Sequence, residues 1–191
     1  MASPDVDRPP HPLDSRSLWG AVWVLVVALF FAAGLPILAD VARQSGLDAG
    51  QPYRIGDATI LPVEGWSLSE NSNEFFTVLE KSGASMTLIA PVESEMDAAM
   101  AIGNTVTALE NDATTSWVIE DPATFTTDAG DPGQSVIARS PTDVSSSWVV
   151  DFDGGVQMSM IGQSPDNVWT EVGPEMEAMA RSVVLEPEDA G

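Results

Sequence analysis

The apolar positions of the chain follow two patterns, a continuous run near the start and short alternating runs afterwards. Residues 18–38 form a run of 21 residues without a charge. As a helix rising about 1.5 Å per residue, this run is about 32 Å long, close to the ~30 Å hydrocarbon thickness of a bilayer. Trp19 and Trp23 lie near one end of the run, where amphipathic rings favour the membrane interface. The pattern therefore predicts one transmembrane helix over residues 18–38.

Two other interpretations of this run are a cleaved signal peptide and a helix buried in a protein core. The run is longer than the about 7–15 apolar residues of a signal peptide, and no A-x-A cleavage site follows it. A helix that is apolar on every face needs a large protein around it. We therefore interpret residues 18–38 as a retained anchor, with residues 1–17 as a tail before it and residues 39–52 as a linker after it.

The basic residues on either side of the anchor predict its orientation. Arg8 and Arg16 precede the run and Arg43 follows it, a bias of one charge toward a cytoplasmic N-terminus. The tail is short and rich in proline, whereas the part of the chain that is able to fold follows the anchor. We expect residues 1–17 in the cytoplasm, an extracytoplasmic domain over residues 53–187, and a short tail over residues 188–191.

After residue 53 the apolar residues alternate in short runs between turn residues, which is typical of β-strands. The clearest hairpin joins residues 147–152 to residues 156–161 through Asp153-Gly154-Gly155, with Trp148 and Val150 on one face. A second hairpin turns at Lys81-Ser82-Gly83. The other strand segments of these runs are residues 58–61, 74–80, 84–90, 117–119, 124–126 and 135–138.

Two segments have the spacing of three and four between apolar residues that indicates a helix. The first ends near Asn111, and Ser94 with Asp97 matches a capping box at its start. Gly103 is expected on its apolar face. The predicted apolar stripe of this helix consists of Met96, Ala99, Met100, Val106 and Leu109.

The second predicted helix begins at Ser164-Pro165-Asp166 and has an apolar stripe from Trp169 to Val183. Pro174 lies inside the stripe and is expected to kink or split the helix. Residues 183–186 are either a short strand or an extended tail. The order of strands, helix, strands and helix predicts an α+β domain, an antiparallel sheet with packed helices.

This order of elements carries a resemblance to a known fold. An early strand ends in Pro62 and a Gly65-Trp66 turn, and the last helix leads into an apolar segment at 183–185. Over about residues 56–187 the chain resembles the PsbP-like fold, an α/β/α sandwich, including actinobacterial envelope proteins of that fold. The secreted lipoproteins among them need a lipobox cysteine, which this chain lacks. The resemblance implies a binding or adaptor module and brings no catalytic residue with it.

Composition excludes several classes of function. The formal net charge is −22, and 25 acidic residues stand against five basic residues from residue 41 onward. Nucleic acid requires clustered Lys and Arg, so it is not expected as a partner. The acidity suits a cationic partner or bound cations, but the simpler explanation is solubility, or the acid-rich proteome of a salt-adapted organism. There is no cysteine, which removes disulfides and thiolate sites.

The remaining candidates for chemistry are few. The single histidine, His11, lies in the tail. The single lysine, Lys81, lies in a predicted turn, where we expect it to be exposed to solvent. Asp151 and Asp153 resemble the start of a calcium loop that lacks its third acid and its closing glutamate. A hairpin turn explains the same residues. We therefore expect no catalytic, cofactor or metal residues and no enzyme activity.

Two functional hypotheses follow. The first is a membrane-anchored extracytoplasmic adaptor that contacts lipid through its anchor and binds an envelope protein, without catalysis. An exposed apolar patch that contains Trp117, Trp148 or Trp169 would support it. The second is a domain that binds a cation or small ligand. Its candidate ligands are Asp128, Asp131, Asp151 and Asp153.

Overall fold

The computed structural model describes residues 45–47, 49–73 and 75–186. The predicted anchor at 18–38, the tail before it and most of the linker lie outside these residues and stay predictions. No helix within the described part of the chain has the length and apolar character needed to span a bilayer. The described residues all belong to one compact unit.

The described residues form strands and two helices in the predicted order. The first half consists of β1 (Ser45–Gly46), β2 (Tyr53–Ile55), β3 (Ala58–Ile60), β4 (Ser67–Leu68), β5 (Phe76–Lys81), β6 (Ala84–Ile89), β7 (Val92–Glu93) and α1 (Ala98–Glu110). The second half consists of β8 (Val118–Ile119), β9 (Ala123–Thr126), β10 (Pro132–Arg139), β11 (Asp143–Phe152), β12 (Val156–Pro165), α2 (Asp166–Arg181) and β13 (Val184–Leu185).

All pairs between these strands are antiparallel, and they form two sheets. The large sheet has the order β1-β4-β5-β6-β12-β11-β10-β8, with β7 beside β12 and β9 beside β10. A small sheet has the order β13-β3-β2, so the last strand pairs with an early one. The α+β class predicted from the sequence is confirmed. Both predicted hairpins are present, and Ser82 and Gly83 take the positive φ values, 53° and 80°, of a tight turn.

The main core lies between helix α2 and one face of the large sheet. Trp66, which directly follows the turn at Gly65, is 1% exposed. Met176 and Met179 of α2 pack against Met158 and Met160 of β12 in the same cluster. The small sheet contributes to this core as well. Because burial of apolar surface is favourable, these large side chains provide much of the free energy that stabilises the fold.

Small residues on β11 and β12 let α2 approach the sheet closely. A Cβ atom at Gly162 would lie 2.5 Å from Sδ of Met176 and 2.6 Å from Oγ of Ser146. Ser146 pairs directly with Gly162, is 1% exposed, and its hydroxyl has no hydrogen-bond partner among the described residues. The close contact between helix and sheet thus leaves one buried polar group unsatisfied.

Helix α1 forms a second, smaller core on the opposite face of the sheet. Ala98, Ala101 and Ile102 pack on Val136 of β10 and Val149 of β11. The prediction for this helix was wrong in detail. Ala99 and Met100 are exposed, and a Cβ atom added at Gly103 would meet no described atom within 4 Å.

The predicted start of α1 also needs correction. Asp97, and not Ser94, is the N-cap, and its carboxylate accepts a hydrogen bond from the backbone N–H of Met100. The Ser94 hydroxyl instead bonds within its own turn, to the backbone of Met96. Both residues have the side-chain chemistry of a cap, and the one adjacent to the first helical residue occupies the position.

Helix α2 continues through Pro174 as a single helix of 16 residues, so of the two expected effects, a kink or a split, the split does not occur. Pro174 is exposed, and its ring lies on the solvent side, away from the core formed by Met176 and Met179. Residues Val184–Leu185 form a strand against β3, which decides between the two alternatives left open for this segment.

Candidate functional site

Three of the four candidate cation ligands lie in turns, and the fourth, Asp151, lies near the end of β11. Asp128 and Asp131 belong to the turn between β9 and β10, where the Asp131 carboxylate accepts a hydrogen bond from the Thr127 hydroxyl. Asp153 is exposed in the turn between β11 and β12. Among the described residues, no three His, Cys, Asp or Glu side chains are placed to hold a metal ion.

Asp151 stabilises the start of helix α1. One oxygen of its carboxylate accepts the backbone N–H of Ala98 at 2.8 Å, and the other accepts Nε2 of Gln157 at 2.8 Å. Gln157, which is 3% exposed, also donates to the carbonyl of Met96. Because free N–H groups at a helix start attract anions, this carboxylate fastens α1 to the sheet.

A cavity of about 210 Å³ adjoins this helix start. The residues that line it include Glu95, Asp97, Asp151 and Gln157. Because three of these residues are acidic, we call the cavity the acidic recess. Two of them, Asp97 and Asp151, also accept hydrogen bonds from backbone N–H groups at the start of α1.

The three tryptophans proposed for an exposed patch are not fully exposed. Trp148 is buried at 4%, and Trp117 and Trp169 are half-buried. The guanidinium of Arg139 lies 5.8 Å from the ring centroid of Trp169. Burial removes Trp148 from any surface patch, whereas Trp117 and Trp169 remain partly accessible.

Trp117 is held by the loop after α1. Its Nε1 donates to Asp112, whose other oxygen accepts the hydroxyl and the backbone N–H of Thr114 at 2.6 and 2.8 Å. The hydrogen bonds from Thr114, followed by the bond from Trp117, lower the pKa of the Asp112 carboxyl below its ordinary value of 3.8. This loop is thereby ordered where the chain leaves the helix for β8.

Lys81 is not the solvated turn residue that the sequence suggested. Its side chain is 16% exposed, and Nζ lies 2.7 Å from the carboxylate of Glu175, which is 22% exposed. The same Nζ donates to the carbonyl of Glu64, and Nε1 of Trp66 donates to Glu175 at 2.8 Å. These contacts join β5, the turn before β4 and helix α2, so Lys81 has a structural role.

The most distinctive surface of the molecule is the part of the sheet beside α1. The register places Val78, Thr87, Ile161, Ser147 and Val136 in one row across five strands. Directly paired residues project from the same face of a sheet. Since Val136 lies under α1, the whole row is on the α1 side.

Three such rows define what we call the open face, which lies on β5, β6 and β12. It combines four apolar residues, three hydroxyl residues, one amide and one carboxylate. Its residues are Phe76, Val78, Glu80, Ser85, Thr87, Ile89, Ser159, Ile161 and Gln163.

Neither of the two described helices covers the open face. Helix α1 packs on β10 and β11, and α2 packs on the opposite side of the sheet. The four apolar residues of the open face, Phe76, Val78, Ile89 and Ile161, are half-buried and belong to neither hydrophobic core. A contiguous apolar area outside the core is typical of a binding surface.

Apolar surface continues beyond the upper end of the open face, where β5 begins and β7 pairs with β12. Val92, which pairs with Gln157 on this side of the sheet, is 43% exposed. Gln157 lies one row beyond Ser159 on the same side of the sheet and lines the acidic recess. The apolar face therefore ends beside carboxylates.

The charges around the open face are one-sided. Within the described residues, Arg54, Lys81, Arg139 and Arg181 each form an ion pair with a carboxylate of the same chain. Acidic residues greatly outnumber them. The described surface therefore has unpaired carboxylates available to a partner, whereas its described Lys and Arg side chains are already in ion pairs.

The sequence itself matches no protein-family model and no curated protein. Solved structures with a similar fold include the solution structure of cyanobacterial PsbP (CyanoP) from Synechocystis sp. PCC 6803, with a TM-score of 0.53 and 14% identity. That alignment covers 78% of this chain and 98% of the other. This likeness shows the PsbP-like fold that the sequence resemblance predicted.

A second similar structure is LpqN, described as involved in cell envelope biogenesis of Mycobacterium tuberculosis. Its TM-score is 0.49 at 11% identity, and the alignment covers 78% of this chain and 93% of LpqN.

Proposed function

We propose that this chain is a membrane-anchored, extracytoplasmic domain that binds a protein partner of the cell envelope and carries out no catalysis. The observation that supports it best is the open face, with apolar residues on three adjacent strands that neither core includes. The ordered strands hold this surface in place without a partner, which lowers the entropy lost on binding.

The sequence supports the other parts of the proposal. The uncharged run at 18–38 supports the anchor, and the bias of basic residues supports a cytoplasmic tail. The single histidine at residue 11 and the absence of cysteine leave the domain without an imidazole general base and without a thiolate nucleophile. The PsbP-like fold is compatible with a binding module, although a fold does not define a function.

Single-cysteine variants test the topology, because the natural chain has no thiol. Ser3→Cys lies in the tail and Thr170→Cys on the exposed side of α2. A membrane-impermeant maleimide applied to intact cells is expected to label Thr170→Cys at once and Ser3→Cys only after permeabilisation. The reverse pattern would contradict the orientation, and loss of both proteins from the membrane fraction would contradict the anchor.

Site-specific photo-crosslinking tests the binding surface. A benzophenone maleimide is attached to Ser85→Cys, on the open face, or to Thr170→Cys, on the far side of α2, and each full-length protein is mixed with solubilised native membranes. We expect a discrete protein adduct with the Ser85→Cys variant alone. No adduct, or the same adducts with both variants, would reject the open face as the binding surface.

A further inference from the structure

The open face is wide enough for one additional helix to pack on it. Strands are about 4.8 Å apart, so β5, β6 and β12 span about 10 Å between their outer axes. A helix with its side chains is about 10–12 Å across. Helix α1 already occupies β10 and β11 of the same side, which demonstrates that this side of the sheet accepts a helix.

The side chains of the open face suit the apolar stripe of such a helix. Val78 and Ile161 flank Thr87 in one row, and Phe76 pairs with Ile89 in the next. These apolar groups match residues spaced three and four apart on an amphipathic helix. Thr87 and Ser159 have small side chains and are only 6% and 7% exposed, so they leave the surface flat enough for close packing.

The acidic residues near the open face favour a positively charged partner. Glu80 lies on the open face at one end, and the recess with Glu95 and Asp97 lies beyond the other end. The described cations are engaged in ion pairs, so no described group on this surface attracts an acidic segment. A second copy of this chain brings the same negative charge, and repulsion opposes its docking here.

We propose that the open face binds a basic amphipathic helix of the partner protein, which lies beside α1 with its apolar stripe on β6 and β12. This inference rests on the proposed function and names the chemistry of the partner. Lysine or arginine residues at the two ends of that helix meet Glu80 at one end and the acidic recess at the other. Charge at the edge then speeds encounter, while the apolar stripe provides most of the affinity.

Two synthetic peptides of about 18 residues, long enough for five helical turns, serve as probes. They share leucines at helical spacing and carry either lysine or glutamate at the other positions. Full-length protein in zwitterionic nanodiscs is titrated with each fluorescent peptide, and empty nanodiscs are subtracted. We expect the lysine peptide to bind, with an affinity that falls as salt increases, and the glutamate peptide to show no binding.

A matched pair of variants separates the site from general charge attraction. Ile161→Arg and Thr170→Arg each add one positive charge, but only residue 161 lies on the open face. Ile161→Arg is expected to weaken binding of the lysine peptide at least tenfold, and Thr170→Arg less than threefold. Equal weakening by both, or binding of the glutamate peptide, would overturn the inference.

One further measurement and one substitute variant keep the outcome unambiguous. Thermal unfolding compares the folded state of each variant with the natural chain, and Val78→Arg replaces Ile161→Arg if the latter does not fold. If crosslinking at Ser85→Cys captures a protein while the lysine peptide fails to bind, the basic-helix inference fails and the adaptor function stands. If no protein is captured, the adaptor function fails irrespective of the peptides.

Discussion

The two sides of the central sheet differ in how completely they are covered. On the α2 side, Trp66, Met176 and Met160 are no more than 1% exposed, and an ion pair between Lys81 and Glu175 lies at the margin. On the α1 side, one helix covers two strands and leaves Val78 and Ile161 half-buried. The same sheet therefore stabilises the domain with one side and presents a surface with the other.

The largest expected effect concerns the margin of the covered side. Glu175→Ala leaves the Lys81 ammonium without its partner and Nε1 of Trp66 without an acceptor, and we expect a loss of about 3 kcal/mol in the free energy of unfolding. Urea denaturation followed by tryptophan fluorescence measures it.

The exposed pair between Arg54 and Asp57 provides the control for this prediction. Its side chains are 67% and 82% exposed, so Asp57→Ala should change stability by no more than about 1 kcal/mol. The double change Lys81→Met with Glu175→Leu should recover much of the loss. Equal losses in Glu175→Ala and Asp57→Ala would show that the Lys81 pair is not structural.

Two glycine substitutions compare the packing of the two sides directly. Gly162→Ala brings a methyl group against Met176 and Ser146 and should destabilise the domain by about 1–3 kcal/mol. Gly103→Ala, on the exposed surface of α1, meets no described atom and should stabilise it by about 1 kcal/mol. Calorimetric midpoints that shift in opposite directions confirm the difference, and a shared direction contradicts it.

A smaller effect is expected from the unsatisfied hydroxyl of the covered side. Ser146→Ala removes a buried polar atom that has no partner among the described residues and should stabilise the domain by about 1 kcal/mol. Ser182 is the matched control, because its buried hydroxyl donates to the Met179 carbonyl and accepts the N–H of Leu61. Ser182→Ala should destabilise the domain in chemical denaturation. A loss of stability in Ser146→Ala would reveal a partner for its hydroxyl.

The smallest effect concerns the loop that ends the α1 side. The pKa of Asp112 is lower in the folded chain than in the unfolded chain, so its contribution to stability is present above the ordinary value of 3.8 and is lost as the pH falls through the lowered value. NMR titration of its carboxyl carbon should give a midpoint below 3.8. Thr114→Val should raise that midpoint, and an unchanged midpoint would contradict the role of the Thr114 hydroxyl.

The sequence was sufficient for the fold class because its strongest signals are local. The alternation around Asp153-Gly154 defines a hairpin without reference to the rest of the chain, and the two apolar periodicities define helices. Local signals did not define the buried side of α1, because alanine and methionine occur on several sides of its first turns. There the prediction placed Ala99 in the apolar stripe, whereas Ala98 is the buried residue. Burial of Lys81 depends on Glu175, 94 residues away, which no local pattern contains.

The open face could not be predicted for a related reason. Strands β5 and β6 carry apolar residues on both sides, so their sequences do not tell which side a helix covers. That choice depends on the path of α1 across β10 and β11, whose start is fixed by the hydrogen bond from Ala98 to Asp151. The candidate site is thus a property of packing between distant segments and not of a motif.

The pairing of β13 with β3 determines when during synthesis the domain reaches its final form. The backbone N–H of Leu61 donates to the hydroxyl of Ser182, which is synthesised 121 residues later. Val184, which pairs with β3 and completes the small sheet, follows Ser182 in the chain. Contacts of such separation form late, because the loop between them must close first. Until β13 emerges from the ribosome, the nascent chain is therefore unable to complete the small sheet, whatever order its other strands have reached.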